Sequence, residues 1–103
     1  MLMITHVVFF KMLPQAKGRS ARENADQLVG LLRDLPQKID QIVELEAGND
    51  FSATPTSFDV GLITRFRNRE DLETYRVHEA HQKVVQFVSQ TTSERAVVDY
   101  DTP

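Results

Sequence analysis

Cysteine is absent from this 103-residue chain, tryptophan is absent too, and glycine and proline number only four each. Without cysteine, the chain has no disulfides, thiolate metal ligands or cysteine nucleophile, which fits a cytoplasmic location. The four glycines do not cluster, so there is no glycine-rich phosphate loop. The longest apolar runs, such as Val7–Phe10, are far shorter than the roughly 20 residues of a membrane helix. Met1–Ile4 lacks the features of a signal peptide, and we expect no membrane association.

The composition that remains is typical of one small globular domain. Hydrophobic residues make up 41% and charged residues 26% of the chain, with a formal net charge of −3. We predict a single domain over residues 1–103, since domains commonly have roughly 100–150 residues. The acidic balance argues against an extended nucleic-acid surface. A chain of this size has enough residues for one core, but we expect no room for a roomy enclosed pocket as well.

Hydrophobic periodicity predicts four strands and two helical regions in the order β-α-β-β-α-β. The first helix begins at a capping box formed by Ser20 and Glu23 and ends at Pro36. The second helical region begins after Asn68 and resumes near Glu79. The predicted strands are Met3–Met12, Gln41–Ala47, Phe58–Phe66 and Arg95–Tyr100.

This order of elements predicts an α+β, ferredoxin-like fold, with a four-stranded antiparallel sheet and both helices on one face. The first strand, Met3–Met12, is apolar on both faces, as expected of a central strand covered on both sides. The helices can cover only one face. The other face would leave an apolar patch that soluble monomers rarely expose, so we predict a homodimer whose sheets meet face to face.

Three histidines and one tyrosine are the candidates for chemistry: His6 in the first strand, and Tyr75, His78 and His81 in the second helical region. Histidine is the side chain most easily tuned to accept a proton near neutral pH. A phenol can donate a hydrogen bond to a carbonyl or enolate oxygen as charge develops there. Structural roles stay open as alternatives: His78 at a helix start, His81 packed on valines, and His6 in a polar slot between sheets.

A metal site is a further alternative for the histidines. His78 and His81, three residues apart on a helix, could share one face with His6 as a third ligand. The sequence shows no certain third ligand, however, and we predict neither a metal nor a cofactor.

The chain resembles the stress-responsive dimeric α/β-barrel (Dabb) family, and the resemblance covers nearly its whole length. The segments that carry it are Ile4–Lys11, Phe58–Leu62, Tyr75–His81, Ala80–Val85 and Val97–Tyr100. Glu79 stands where the family usually has a proline after the first histidine of the pair. The resemblance implies a homodimer in which two sheets close into a barrel around an apolar cavity.

The resemblance also implies roles for the candidate residues. A plant polyketide cyclase of the family is similar through the same run, and by carry-over His81 is the catalytic base and Tyr75 its hydrogen-bonding partner. His6 and His78 line the pocket in this interpretation. Family members without an established activity share these residues, so two hypotheses stay open. One is a cofactor-independent cyclase, lyase or isomerase acting on a carbonyl substrate. The other is a non-catalytic dimer that binds an apolar or aromatic small molecule or has a structural role in the stress response.

Overall fold

Four long strands and three helices make up most of residues 2–103, which the computed structural model describes. In chain order the elements are β1 (Met3–Met12), β2 (Gln15–Ala16), β3 (Arg19–Ser20), α1 (Ala21–Asp34), a 3₁₀ turn (Leu35–Gln37), β4 (Glu44–Asn49), β5 (Val60–Phe66), α2 (Arg69–Val77), α3 (Glu79–Thr91) and β6 (Thr92–Thr102). Strands β2 and β3 form a small ribbon, and the other four form an antiparallel sheet in the order β4-β5-β1-β6. This is the predicted ferredoxin-like α+β fold.

The helix starts follow the local signals in the sequence. Ser20 and Glu23 form the predicted capping box: the Glu23 backbone N–H donates to Ser20 Oγ at 3.1 Å, and the Ser20 N–H donates to Glu23 Oε1 at 3.0 Å. Asn68 caps α2 by accepting a hydrogen bond from the Asp71 N–H. Pro36 lies in the 3₁₀ turn that follows α1, so the first helix ends where the proline predicts.

The bounds of three strands differ from the prediction because strand pairing, and not apolar alternation, decides them. β4 begins at Glu44 instead of Gln41 and continues to Asn49, because Gly48 and Asn49 still pair with β5. β5 begins at Val60, two residues later than predicted. β6 is longer than predicted, since it follows α3 directly and pairs with β1 from Met12↔Thr92 to Met3↔Thr102.

The hydrophobic core lies between the sheet and the helices. From β1 it takes the alternate residues Ile4, Val8, Phe10 and Met12, and from the helices it takes Leu28, Leu32, Val84, Phe87 and Val88 among others. We call this side of the sheet the covered face and the other side the open face. Within residues 2–103, no helix is long and apolar enough to cross a membrane.

Candidate functional site

A cavity of about 370 Å³ lies between the covered face of the sheet and the helices, and we call it the covered cavity. Its volume falls in the range of about 300–1,000 Å³ that is typical of ligand sites. A single chain thus contains a cavity of this size, although the cavity is partly open to solvent. Most of its wall is apolar, formed by Val8, Phe10, Leu32, Leu62, Val84, Val85, Val88 and Val97. The polar side chains on the wall are His6, Tyr75, Arg76, His81 and Arg95.

Three of the four predicted site residues meet at this cavity. The rings of Tyr75 and His81 have centroids 4.2 Å apart, and those of His6 and Tyr75 are 5.9 Å apart in a T-shaped arrangement. Tyr75 comes from the last part of α2, His81 from the first turn of α3, and His6 from the centre of β1. The fold thus brings together three side chains that lie far apart or in different elements along the sequence.

His81 is held in one tautomer by the backbone. Its Nδ1 lies 3.1 Å from the carbonyl oxygen of Arg76, and because a carbonyl can only accept, Nδ1 carries the proton. Nε2 is then the free acceptor. Burial lowers the pKa of His81, an effect that the hydrogen bond to Arg76 opposes. The charges of His6, Arg95 and Arg76 lower this pKa further, so the imidazole is neutral near neutral pH.

Tyr75 supplies a neutral hydroxyl beside this imidazole. Its side chain is 1% exposed and packs against Phe66, with ring centroids 5.0 Å apart. Burial raises the pKa of the Tyr75 hydroxyl, and the neighbouring Thr64 opposes this rise only in part. The phenol therefore keeps its proton and is able to donate a hydrogen bond. A neutral acceptor and a neutral donor stand side by side on the cavity wall.

His6 is anchored by residues that the sequence reasoning missed. Its Nδ1 donates to Asp99 Oδ1 at 2.5 Å, and Arg76 Nη2 donates to Asp99 Oδ2 at 2.8 Å. The other branch of the Arg76 guanidinium pairs with Glu73 Oε1 at 3.1 Å. His6 and Asp99 are directly opposite each other in the β1–β6 pairing. Only the register of that pairing reveals Asp99, and only the packing of α2 against β6 reveals Arg76, since their distance in sequence from His6 gives no signal.

His78 does not line the covered cavity. It ends α2 and caps α3, where its Nδ1 accepts a hydrogen bond from the Ala80 N–H at 3.0 Å. The structure thus gives this histidine the helix-start role, not the pocket-lining role that the resemblance implies. Glu79 is the first residue of α3, a position that suits proline and acidic side chains alike, so the turn is kept without the family's usual proline.

The histidines are not arranged as a metal centre. In the part of the chain that the structure describes, no group of three or more His, Asp or Glu side chains is placed to hold a metal ion. His78 and His81 each use Nδ1 in a hydrogen bond with the backbone.

A second and larger concavity of about 720 Å³ lies on the open face, and we call it the open groove. It forms because Gly48 pairs with Gly61, and Gly61 with Phe9, so two neighbouring strands lack side chains there. Phe9 and Phe51 line it, and Phe51 is 97% exposed. None of the predicted site residues faces this groove.

The fold and the site together define a class of protein: a ferredoxin-like domain with two histidines and a tyrosine around an apolar cavity. The model of a family described as the Stress responsive A/B Barrel Domain matches residues 4–102, and the chain belongs to this family. The predicted family is therefore confirmed.

Solved structures share the fold over nearly their whole lengths. A dimeric protein of unknown function from Bacteroides fragilis is 26% identical, with a TM-score of 0.83 and coverage of 96% of this chain and 95% of that one. A dimeric ferredoxin-like protein of unknown function from Thermobifida fusca is 16% identical, with a TM-score of 0.82 and coverage of 96% and 90%. The hydroxynitrile lyase from Passiflora edulis is 14% identical, with a TM-score of 0.78 and coverage of 98% and 94%. A comparison with curated proteins found no match.

Proposed function

We propose that this chain binds a small carbonyl compound in the covered cavity and performs cofactor-independent acid–base chemistry on it. His81 Nε2 removes a proton from the carbon next to the carbonyl, and the Tyr75 hydroxyl donates a hydrogen bond to the enolate oxygen that forms. The observation that carries this proposal is that the rings of Tyr75 and His81 are in contact, with centroids 4.2 Å apart and planes tilted by 40°, on the wall of one ligand-sized cavity.

The protonation states of the two groups support these roles. A base must be unprotonated at the working pH, and the lowered pKa of His81 meets this need. A donor to an enolate must keep its proton, and the raised pKa of Tyr75 meets that need. The apolar wall strengthens the hydrogen bond to the enolate, because electrostatic interactions are stronger where water is excluded. Isomerisation and aldol-type cyclisation of a carbonyl compound can begin with this proton transfer, and so can some lyase reactions.

The similarity to the hydroxynitrile lyase is consistent with such chemistry on this fold. At 14% identity that similarity shows the fold alone, so we derive no substrate from it. A cytoplasmic location stays a prediction.

We also propose that the protein is a homodimer that pairs through its open face. That face carries exposed apolar and aromatic side chains, including Phe9, Val98 and Tyr100. The Bacteroides fragilis and Thermobifida fusca relatives are described as dimeric. Pairing through the open face would leave the covered cavity within each protomer.

The catalytic proposal is tested by using NMR to measure how fast α-protons exchange for deuterium in a panel of small ketones and keto acids. This assay needs no knowledge of the natural substrate. His81→Ala should slow the exchange by at least about 100-fold, the usual contribution of a general base. Tyr75→Phe should slow it by roughly 10-fold to 100-fold.

The matched control is His78→Asn, which removes a histidine outside the cavity while keeping a side chain that can cap α3. This variant should exchange as fast as the wild type. A folded His81→Ala protein that exchanges at the wild-type rate would contradict the enzyme proposal and favour a non-catalytic ligand-binding protein.

A further inference from the structure

The covered cavity is lined by hydrogen-bond donors and positive charges, although the chain as a whole is acidic. The chain has 15 Asp and Glu residues and a net charge of −3, yet neither residue type lines this cavity. Its polar wall contains two arginines, Arg76 and Arg95, besides the two histidines and Tyr75. A cavity with this lining favours a ligand with negative charge or strong acceptor oxygens.

The two arginines differ in how far their charge is already balanced. Arg76 is paired with Glu73 and Asp99. Arg95, by contrast, makes no side-chain hydrogen bond or ion pair within residues 2–103. Asp99 is the nearest acidic side chain on the covered side of β6, and its two oxygens already accept from His6 and Arg76. Arg95 is therefore the guanidinium available to a ligand.

The position of Arg95 places it at the mouth of the cavity. It lies on the edge strand β6, opposite Phe10 in the pairing with β1, and it is exposed. Its charge reaches the candidate base, since it is one of the groups that lower the pKa of His81. A ligand that contacts Arg95 and extends inward meets Val84, Val85 and Val88 on α3.

We propose that the ligand of this cavity is a small carboxylate with an apolar body, held by Arg95 through its carboxylate. This inference names the substrate class of the site and rests on the proposed function for its use of the covered cavity. A guanidinium offers two parallel N–H donors that match the two oxygens of a carboxylate. One free arginine and a wall made mostly of valine, leucine and phenylalanine suit one negative charge and an apolar remainder. A polyanion would find no second free cation on the wall of this cavity, as the structure describes it.

The experiment compares phenylacetate with phenylacetamide, an uncharged molecule of nearly the same shape. Binding is measured by titration calorimetry, and NMR shifts of the His81 ring establish that the probe occupies the cavity. The wild type should bind phenylacetate about fivefold to tenfold more tightly, a value between those of exposed ion pairs and buried charged hydrogen bonds. Higher ionic strength should reduce this preference.

Arg95→Gln should remove the preference and leave the affinity for phenylacetamide unchanged. The matched control is Arg67→Gln, since Arg67 is exposed and does not line the cavity; this variant should keep the wild-type preference.

Three outcomes would overturn the carboxylate proposal: equal binding of the two probes by the wild type, an undiminished preference in Arg95→Gln, or no binding of either probe. None of these outcomes would contradict the proposed function, because the rate of α-proton exchange is measured in a separate experiment. The converse result would be a preference for phenylacetate together with no effect of His81→Ala on the rate of exchange. That result would contradict the proposed catalysis but would not contradict the carboxylate proposal.

Discussion

The two faces of the same sheet have different chemistry, and β1 shows the difference within one strand. Its residues His6 and Val8 point to the covered face, where they line a cavity with Tyr75 and His81. Their neighbours Val7 and Phe9 point to the open face, where they line a broad apolar groove. The alternation of a strand thus places the residues of the covered cavity and those of the open groove on opposite sides of one backbone. In our proposals, the first face carries the proton transfer and the second face forms the dimer interface.

This division changes where the pocket of such a protein is expected. The resemblance implies a cavity formed when two sheets close on each other. The histidines and the tyrosine instead face a cavity between the sheet and the helices of a single chain. The open groove is larger, but it has no histidine or tyrosine on its wall. Volume alone would therefore select the face that lacks the predicted site residues.

The largest effect is expected from a charge placed on the open face. Phe9 is 47% exposed there, and Phe9→Glu would bury two carboxylates in a face-to-face dimer. Burying unpaired charges should weaken the dimer by at least about 100-fold, so light scattering should give the mass of one chain.

The control for this variant is Val77→Glu, which adds the same charge at a valine that is 74% exposed on α2. That variant should keep the mass of the wild type. A dimeric Phe9→Glu protein would show that assembly does not use the open face.

A smaller effect is expected on the covered side, where two acidic residues of β6 can be compared. Asp99 pairs with the buried His6 and with Arg76, whereas within residues 2–103 Asp101 pairs with the exposed Arg69 alone. Asp99→Asn should lower the free energy of unfolding by about 1–3 kcal/mol, and Asp101→Asn by less than about 1 kcal/mol. Equal losses in urea denaturation would show that the His6–Asp99 pair is no more than a surface contact.

The pH dependence of stability tests the burial of His81. Its pKa is lowered in the native protein, so between that pKa and the ordinary value of about 6.5 the unfolded chain binds more protons. The His81 contribution is fully present above pH about 6.5 and is lost as the pH falls through the native pKa. The wild type should therefore lose more stability than His81→Gln between pH 7 and 5, as measured by denaturation at a series of pH values. A His81→Gln protein with the same pH dependence as the wild type would contradict the lowered pKa.

The smallest effect is expected at Glu79, which stands where the family usually has a proline. His78 has φ −64° and ψ 138°, a conformation that a following proline permits, and Glu79 is the first residue of α3. Glu79→Pro should change the free energy of unfolding by less than about 1 kcal/mol.

Ala80→Pro is the matched control, because it removes the N–H that donates to His78 Nδ1. This substitution should cost about 1–2 kcal/mol, the usual loss of a helix cap. A larger loss in Glu79→Pro than in Ala80→Pro would show that the turn at His78 is set in some other way.

Features that depend on neighbouring residues could be predicted from the sequence. The capping box at Ser20 and the bounds of β1 belong to this group, since each follows from a local pattern of residue types. The meeting of Tyr75 with His81 is also local, because the turn at His78 brings the end of α2 to the start of α3.

Features that depend on pairing between distant segments could not be predicted. The partnership of His6 with Asp99 requires the register of β1 against β6, and the lengths of β4 and β6 depend on their partners in the same way. Nothing in the pattern of β1 indicates which of its two apolar faces the helices cover, so the cavity could not be placed before the fold was known.

The most direct test of the division between the two faces is a methyl NMR spectrum of the protein with and without the ketone or keto acid that exchanges fastest. The covered cavity predicts that shifts change at Val84, Val85 and Val88 and at the His81 ring, while Val7 and Ile63 in the open groove stay unchanged. Changes confined to Val7 and Ile63 would contradict the account, since they would place the ligand on the open face.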